Sequence, residues 1–247
     1  MKRRNLVFPL ALFSLLLSLT LTASRSSARQ LTSAKGAAAA ALEQEVLKEI
    51  NLARTRPAEY AAYLEQLRAY FNGKEYRRPG LPGILTQEGT QVLDEAIGAL
   101  RAARPVPALS LSQGMCSGAR ELVKDQAGTD SMGHRGVDGS FCEQRTQRFG
   151  AWKEPIGENL SYGSDTARER VLTLLIDDGF ANRGHRKRLL DASFRVAGVA
   201  CGDHKLGAMC VITLAGGFTD GTVHVNAKPS QPVVKTLAPV PTGAKRF

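Results

Sequence analysis

A basic start followed by an uncharged apolar run is the feature that most constrains this chain. Basic residues at positions 2–4 precede a run over 6–21 that holds no charged residue. Ala23 and Ala28 follow, and this order of basic, apolar and small residues is typical of a secretory signal peptide. The run is shorter than the roughly 20 residues that a membrane-spanning helix needs. We therefore expect residues 1–28 to be a signal peptide cleaved after Ala23 or Ala28, and the folded protein to be secreted, either extracellular or periplasmic.

Export determines how the four cysteines are interpreted, because disulfides form and persist in oxidising compartments. Four cysteines allow three pairings, and their spacing alone does not choose among them. The local pattern favours one pairing, since Val196–Cys201 and Cys210–Leu214 resemble strands joined by a turn-rich segment. Antiparallel strands joined in this way would place Cys201 opposite Cys210. We therefore expect the disulfides Cys201–Cys210 and Cys116–Cys142, and no zinc site made of cysteines, because the chain has no C-x-x-C pair.

The charge and composition exclude a nucleic-acid-binding role. Four of the 33 basic residues and none of the 23 acidic ones lie in the first 28 positions, so the net charge is +10 for the whole chain and +6 for residues 29–247. This is a mild excess rather than a basic stripe. The C-terminal segment adds at most weak contact with an anionic envelope surface, through Lys228, Lys235, Lys245 and Arg246.

Hydrophobic periodicity predicts one mixed α/β domain over residues 42–219. A flexible leader is expected over 29–41 and a disordered, basic, proline-rich tail over 220–247, because neither segment has an apolar period. Within the domain, apolar spacing predicts helices that alternate with proline- and glycine-rich loops, and two strands near the end. The expected helices cover 42–56, 58–71, 87–103, 113–127 and 166–176, the loops 72–82 and 128–150, and the strands 194–202 and 208–218.

Candidate functional side chains are two histidines and two or three acids. His134 and His185 each lie beside glycine and arginine in a glycine-rich segment, where an imidazole can bind a metal, act as an acid or base, or simply organise its own loop. Glu158 has apolar neighbours, and a buried carboxylate requires a partner. Asp177 and Asp178 end a predicted helix, where the helix dipole disfavours negative charge, so a partner is expected there too.

The ordered segments around these residues resemble the CAP superfamily, which groups cysteine-rich secretory proteins, venom allergens and plant pathogenesis-related proteins. The domain is also called the SCP domain, and the match is most similar to the bacterial secreted branch. It covers residues 42–218 and rests on five segments: Asn51-Leu52-Ala53-Arg54, Gly133-His134-Arg135-Gly136, Gly157-Glu158-Asn159-Leu160, Asp177-Asp178-Gly179 and Arg183-Gly184-His185-Arg186.

The resemblance implies a three-layer α-β-α sandwich with a surface cleft in which two histidines and two acids face one another. His134, His185 and Glu158 match three of these positions. The family's V-x-x-W-x-x-E pattern would fall on Val171, Leu174 and Asp177, so a leucine replaces the tryptophan and a shorter acid replaces the glutamate. Asp178 is a rival for the fourth position.

The resemblance also implies a metal-capable cleft in a binding module. His134 and His185 would hold Zn²⁺, with the acids orienting the imidazoles, and the ligand would be an unidentified lipid, glycan or protein. The alternative is a secreted, metal-assisted hydrolase of peptide or cell-envelope substrates, with His134, Glu158, Asp177 and His185 as the catalytic set. In a third interpretation the four residues only hold loops in place. We expect a monomer, and an enzyme is the less favoured outcome.

Overall fold

The structure, a computed structural model, describes residues 35–80, 82–163 and 166–221. Seven helices and two sheets are found in these residues. The helices are α1 (35–55), α2 (Pro57–Leu67, followed by a 3-10 turn over Arg68–Tyr70), α3 (Thr90–Ala102), α4 (Gln113–Gln126), α5 (Cys142–Gln147), α6 (Ala167–Ile176) and α7 (Gly184–Leu190). No helix in the described residues is long and apolar enough to cross a membrane.

Two sheets of very different size accompany the helices. Three two-residue strands form an antiparallel sheet, namely β1 (Phe71–Asn72), β2 (Glu75–Tyr76) and β3 (Ile84–Leu85). The main sheet has the order β4-β6-β7-β5, from β4 (Ser110–Leu111), β5 (Gly150–Gly163), β6 (Val196–His204) and β7 (Gly207–Asp220). Only β4 and β6 are parallel in this sheet. The long strand β5 is the last strand in this order and lies at an edge of the main sheet.

Helices cover both faces of the main sheet, as the expected α-β-α sandwich requires. Because side chains alternate along a strand, neighbouring residues of β7 enter different cores. Val211 packs in a cluster with Ala119 and Leu122 of α4, whereas Ile212 joins the larger cluster formed with α1, α2, α3, α6 and α7. A Cβ atom added to Gly198 would lie 2.2 Å from the backbone of Met115, so α4 packs against β6 at backbone distance.

The Asn51–Arg54 segment of α1 ties this helix to the sheet and to α7. The Asn51 side chain donates to the Leu109 carbonyl and accepts from the Leu109 N–H, at 3.0 and 2.7 Å. Arg54 is fully buried, and its guanidinium donates to four backbone carbonyls, those of Pro107, Leu189, Asp191 and Phe194. Burial is the main cause that lowers the pKa of Arg54. This part of the motif is therefore structural, because a buried charge needs such partners.

One expected disulfide is present and the other is not. Cys201 and Cys210 are paired residues of β6 and β7, and they are joined by a disulfide. The pairing Cys116–Cys142 was wrong, because both are free buried thiols. Cys116 instead accepts the N–H of Val199 at the edge of β6. Gly118 lies on the face of α4 that meets α5, where it packs on Thr146. Cys116 lies two residues before Gly118, which corresponds to a rotation of about 200° around the helix axis, so its side chain points away from α5.

Several boundaries differ from the expectations. Residues 35–41 of the expected leader are helical, so α1 begins before position 42. The loop expected over 72–82 contains β2, and the loop over 128–150 contains α5. The strand β5 and the helix α7, which carry Glu158 and His185, were not predicted from the apolar spacing. The expected signal peptide and nearly all of the expected tail lie outside the described residues.

Candidate functional site

His134 is held by a buried ion pair between α5 and β5. Its Nδ1 lies 2.9 Å from Oε1 of Glu158, and the other oxygen of Glu158 accepts a hydrogen bond from Arg145 at 2.6 Å. The side chains of Glu158 and Arg145 are 2% and 1% exposed, whereas that of His134 is 45% exposed. Arg145 also donates to the carbonyls of His134 and Ser140. The loop that carries His134 is thus fixed to the sheet through one guanidinium.

His185 is held in the same way by Asp177. The imidazole Nδ1 lies 2.6 Å from Oδ1 of Asp177, and Oδ2 accepts the backbone N–H groups of His185 and Arg186 at 2.9 and 3.2 Å. Asp177 adopts a left-handed conformation with φ of 60° after α6, and aspartate is among the residues that tolerate it. Burial would raise the pKa of Asp177, but the hydrogen bonds from His185 and Arg186 bring it below its ordinary value.

Asp178 serves a different purpose from Asp177. Its two carboxylate oxygens accept the backbone N–H groups of Gln87 and Glu88, each at 2.8 Å. Asp178 therefore joins the end of α6 to the segment before α3, and Asp177 is the acid that pairs with a histidine. The expected partners of these helix-ending acids are present.

The two histidine pairs approach the same segment of β5 from opposite faces of the sheet. Glu158 lies on the face covered by α4 and α5, and the next residue, Asn159, lies on the other face. The Asn159 amide donates to the His185 carbonyl at 3.2 Å. Arg188 of α7 donates to the backbone carbonyl of Glu158 and to the side chain of Asn159. β5 is an edge strand of the main sheet. The layers on its two faces, one carrying His134 and the other His185, therefore both lie beside this edge.

Exposed apolar side chains flank each histidine. Met132 and Val137 lie in the loop of His134 and are 58% and 83% exposed. Phe180 is also exposed, and its ring meets the His185 ring edge-on with centroids 4.8 Å apart. Apolar groups around polar, fixed imidazoles are typical of a ligand-binding surface.

The residues that support the histidines, above all Arg145 and Arg188, were not predicted from the sequence. Burial among apolar neighbours indicated that Glu158 needs a partner, and this expectation is confirmed. The partner itself could not be chosen, since Arg145 lies in a segment taken for a loop and the chain is rich in arginine. Asn159, which follows Glu158 directly, was not singled out as a link to α7.

The expected metal site would need one donor atom from each histidine pair. No group of three or more histidine, cysteine, aspartate and glutamate side chains in the described parts of the chain is arranged to hold a metal ion. In each pair the carboxylate engages Nδ1, which leaves Nε2 as the donor that a metal would use. A carboxylate on the second ring nitrogen is the usual support of a metal-ligating histidine. The donor chemistry therefore fits a site made of two imidazoles and water.

Comparison with known proteins finds a family to which part of this chain is similar. Residues 95–213 match the model of the cysteine-rich secretory protein (CAP) family, and no curated protein matches the chain. Among solved structures, an extracellular SCP-domain protein of Bacillus anthracis shares 22% identity over 51% of this chain and 39% of its own, with a TM-score of 0.35. The CAP domain of Enterococcal PrgA shares 16% identity over 44% of this chain and 52% of its own, with a TM-score of 0.31.

The matched segment includes both histidine pairs, together with β5, β6 and the first half of β7. This chain spans less than two thirds of the length of either solved chain. Residues 95–213, just under half of the chain, are therefore similar to the CAP family.

Proposed function

We propose that this protein is exported and acts as a binding module, with a cleft in which His134 and His185 hold a divalent transition metal through their Nε2 atoms. The observation that carries the proposal is that a buried carboxylate fixes each imidazole at Nδ1. Imidazole nitrogen favours Zn²⁺, Cu²⁺ or Ni²⁺ over Mg²⁺ and Ca²⁺. Bound there, the metal would offer open coordination positions to a ligand donor atom.

The carboxylates favour binding over hydrolysis. A general base must have an oxygen available to take a proton. Both oxygens of Glu158 are engaged, by His134 and Arg145, and both oxygens of Asp177 are engaged, by His185 and Arg186. These acids support the imidazoles, and their side chains are 2% and 0% exposed, which keeps them away from bulk water. We therefore prefer a binding module over a metal-assisted hydrolase.

The ligand itself would meet both polar and apolar groups. Met132, Val137 and Phe180 supply exposed apolar surface beside the imidazoles. A lipid, glycan or protein ligand with an apolar part is compatible with this surface.

Calorimetric titration with Zn²⁺ tests the metal site. We expect that His134→Ala or His185→Ala alone removes most of the zinc affinity and that the double variant adds little further loss, because one ion needs both imidazoles. Affinity should also fall on acidification, since only neutral imidazole binds a metal. His224→Ala is the matched control, because His224 lies in the tail outside the described residues.

The same titration can overturn the proposal. If the His134→Ala, His185→Ala double variant binds zinc as tightly as the parent, the two histidines do not form a site. Thermal unfolding of each variant, measured without metal, separates lost affinity from lost fold.

A further inference from the structure

An open groove of about 630 Å³ lies beside the first half of β5, at the edge of the main sheet. Its walls come from the start of α5, from β5 and from the segment before β6. The lining residues are Glu143, Trp152, Glu154, Pro155, Ile156 and Ser193. None of the four residues of the histidine pairs lines the groove, so it is distinct from the proposed metal site.

The two glutamates of the groove differ from the other glutamates because their charges are not paired. Every other glutamate in the described residues forms an ion pair with an arginine or a lysine. Glu143 and Glu154 have no such partner in the part of the chain that the structure describes. Glu143 has a hydrogen bond with the neighbouring Cys142 thiol, which supplies no positive charge. The groove therefore carries two negative charges that no described cation neutralises.

Trp152 adds an aromatic face to the same groove. It is half-buried, and it is the only tryptophan of the chain. A cation over a tryptophan ring is attracted by the electrons of the ring, and the planar guanidinium of arginine can also stack on it. A guanidinium also donates charge-assisted hydrogen bonds to carboxylates. The chemistry of the groove thus fits a guanidinium group.

The edge of β5 beside the groove is open. In the described residues, no hydrogen bond reaches the backbone of residues 150–157 from any element other than β7. These residues are half-buried or exposed, whereas residues 158–161 are buried. An unpaired edge strand is a template for an added strand. The register shift between Lys153 and Ile156, together with Pro155, which has no N–H, limits such pairing to residues 150–153.

We propose that this edge binds an extended, basic segment of a partner protein. The backbone of the segment pairs with residues 150–153, and one arginine side chain enters the groove beside Trp152, Glu143 and Glu154. In strand addition the backbone hydrogen bonds give affinity, and a pocket for a side chain gives specificity. Charge complementarity selects the partner, because two unpaired acids attract a cation and repel an acidic segment. The proposal does not depend on metal binding by the histidines.

The fluorescence of Trp152 reports this binding, because no other tryptophan contributes. The probe is the peptide acetyl-Thr-Val-Arg-Val-Thr-amide, whose residues favour an extended strand. The matched control peptide carries citrulline, which has nearly the shape of arginine without its charge. We expect a Kd of about 1 mM or tighter for the arginine peptide and at least about tenfold weaker binding of the citrulline peptide. Equal affinities overturn the proposal, and so does an arginine peptide that does not bind.

Substitutions in the groove show where the peptide binds. Glu143→Gln and Glu154→Gln each remove one negative charge, and each should weaken binding of the arginine peptide by about three- to tenfold. Lys153→Gln is the matched control, because Lys153 is exposed beside Glu154 and does not line the groove; it should not weaken binding. Thermal unfolding checks that each variant keeps its fold. Parent-like affinity in the Glu143→Gln, Glu154→Gln double variant contradicts the proposal.

The chain's own basic C-terminal segment is the first alternative occupant. It follows Gly221, whose N–H donates to the Phe149 carbonyl beside the start of β5. The full-length variant that tests it has glutamine at four positions, namely Lys228, Lys235, Lys245 and Arg246. Unchanged affinity for the arginine peptide supports a partner as the occupant. A gain of tenfold or more would show that the chain's own segment competes for the groove, and the assignment to a partner would be wrong.

A second copy of the chain is the other alternative occupant. It would make the Trp152 fluorescence depend on protein concentration in the absence of peptide. We expect no such dependence, and a concentration-dependent signal that Glu154→Gln abolishes would overturn the assignment to a partner.

Discussion

Arg145 shows how a single side chain can organise a site without belonging to its chemistry. Its guanidinium contacts the carbonyls of His134 and Ser140 and the carboxylate of Glu158. Both members of the Arg145–Glu158 pair are almost fully buried. Breaking a buried pair leaves an uncompensated charge, which costs far more than an exposed ion pair contributes.

We expect Arg145→Met to lower the free energy of unfolding by about 3–5 kcal/mol, because Glu158 loses its buried cationic partner and keeps only the contact with His134. Glu158→Met should cost a similar amount. The double variant should lose less than the sum of the two, because it removes both charges together. Urea denaturation of the four proteins measures the coupling, and strictly additive losses would contradict the predicted pair.

Asp177 and Asp178 allow a comparison of neighbouring acids. Asp177→Asn should weaken zinc binding by about 10–100-fold, since the carboxylate supports the proposed ligand His185. Asp178→Asn should leave zinc affinity nearly unchanged, because Asp178 caps the segment before α3. Calorimetric titration of both variants with Zn²⁺ measures the two affinities. An equal loss of zinc affinity in the two variants would show that Asp177 has no special role.

At the scale of elements, the positions of the four cysteines on the strands and helices explain their different states. Cys201 and Cys210 are directly paired on β6 and β7, so their side chains meet. Cys116 is used as an acceptor for an N–H at the edge of β6. Cys142 lies at the start of α5, where burial is the main cause that raises the pKa of its thiol to about 12. Such a thiol is almost entirely protonated at neutral pH and reacts slowly.

We therefore expect two thiols per chain that resist alkylation in the native protein and react fully after denaturation. Non-reducing peptide mapping should give one disulfide, Cys201–Cys210. Its removal in a Cys201→Ala, Cys210→Ala variant should cost about 2–3 kcal/mol, because a short loop is no longer closed in the unfolded chain. Absence of free thiol after denaturation would contradict the assignment.

For the whole molecule, carboxylates with lowered pKa values couple stability to pH. Hydrogen bonds from Arg183 and Gly179 lower the pKa of Glu88 to about 2. The pKa of Asp177 is also lowered, as is that of Asp191 through hydrogen bonds from Ser193. In each case the unfolded chain binds a proton more readily than the folded protein does. The stability that these groups contribute is present above their ordinary pKa values and is lost as the pH falls through the folded values.

Thermal unfolding measured between pH 7 and pH 3 should thus show a nearly constant melting temperature down to about pH 5 and a steep fall below about pH 4. Asp177→Asn should make this acid dependence shallower, because one of the linked groups is gone. A melting temperature that rises as the pH falls from 5 to 3 would contradict this linkage.

Removal of residues 222–247 tests where the folded unit ends. The last described strand, β7, ends at Asp220, whose side chain accepts from Ser112 and from the N–H of Gly114 at the start of α4. A chain that ends at Gly221 keeps these contacts, so its melting temperature should stay close to that of the parent. A large decrease would show that the removed segment packs on the domain.

The amino-acid sequence by itself determined the helices with clear apolar spacing, the strands β6 and β7 and the pairing of Cys201 with Cys210, because these depend on neighbouring residues. It also identified the residues of both histidine pairs and the resemblance to the CAP family, through short segments of specific order. Only the tertiary structure decided that Arg145 supports Glu158, that Asp177 rather than Asp178 meets His185, and that Cys116 faces the sheet. Some of these contacts join residues that are distant in sequence, and one depends on which of two neighbouring acids after α6 faces the histidine. Local sequence patterns do not specify which side chains the fold brings together.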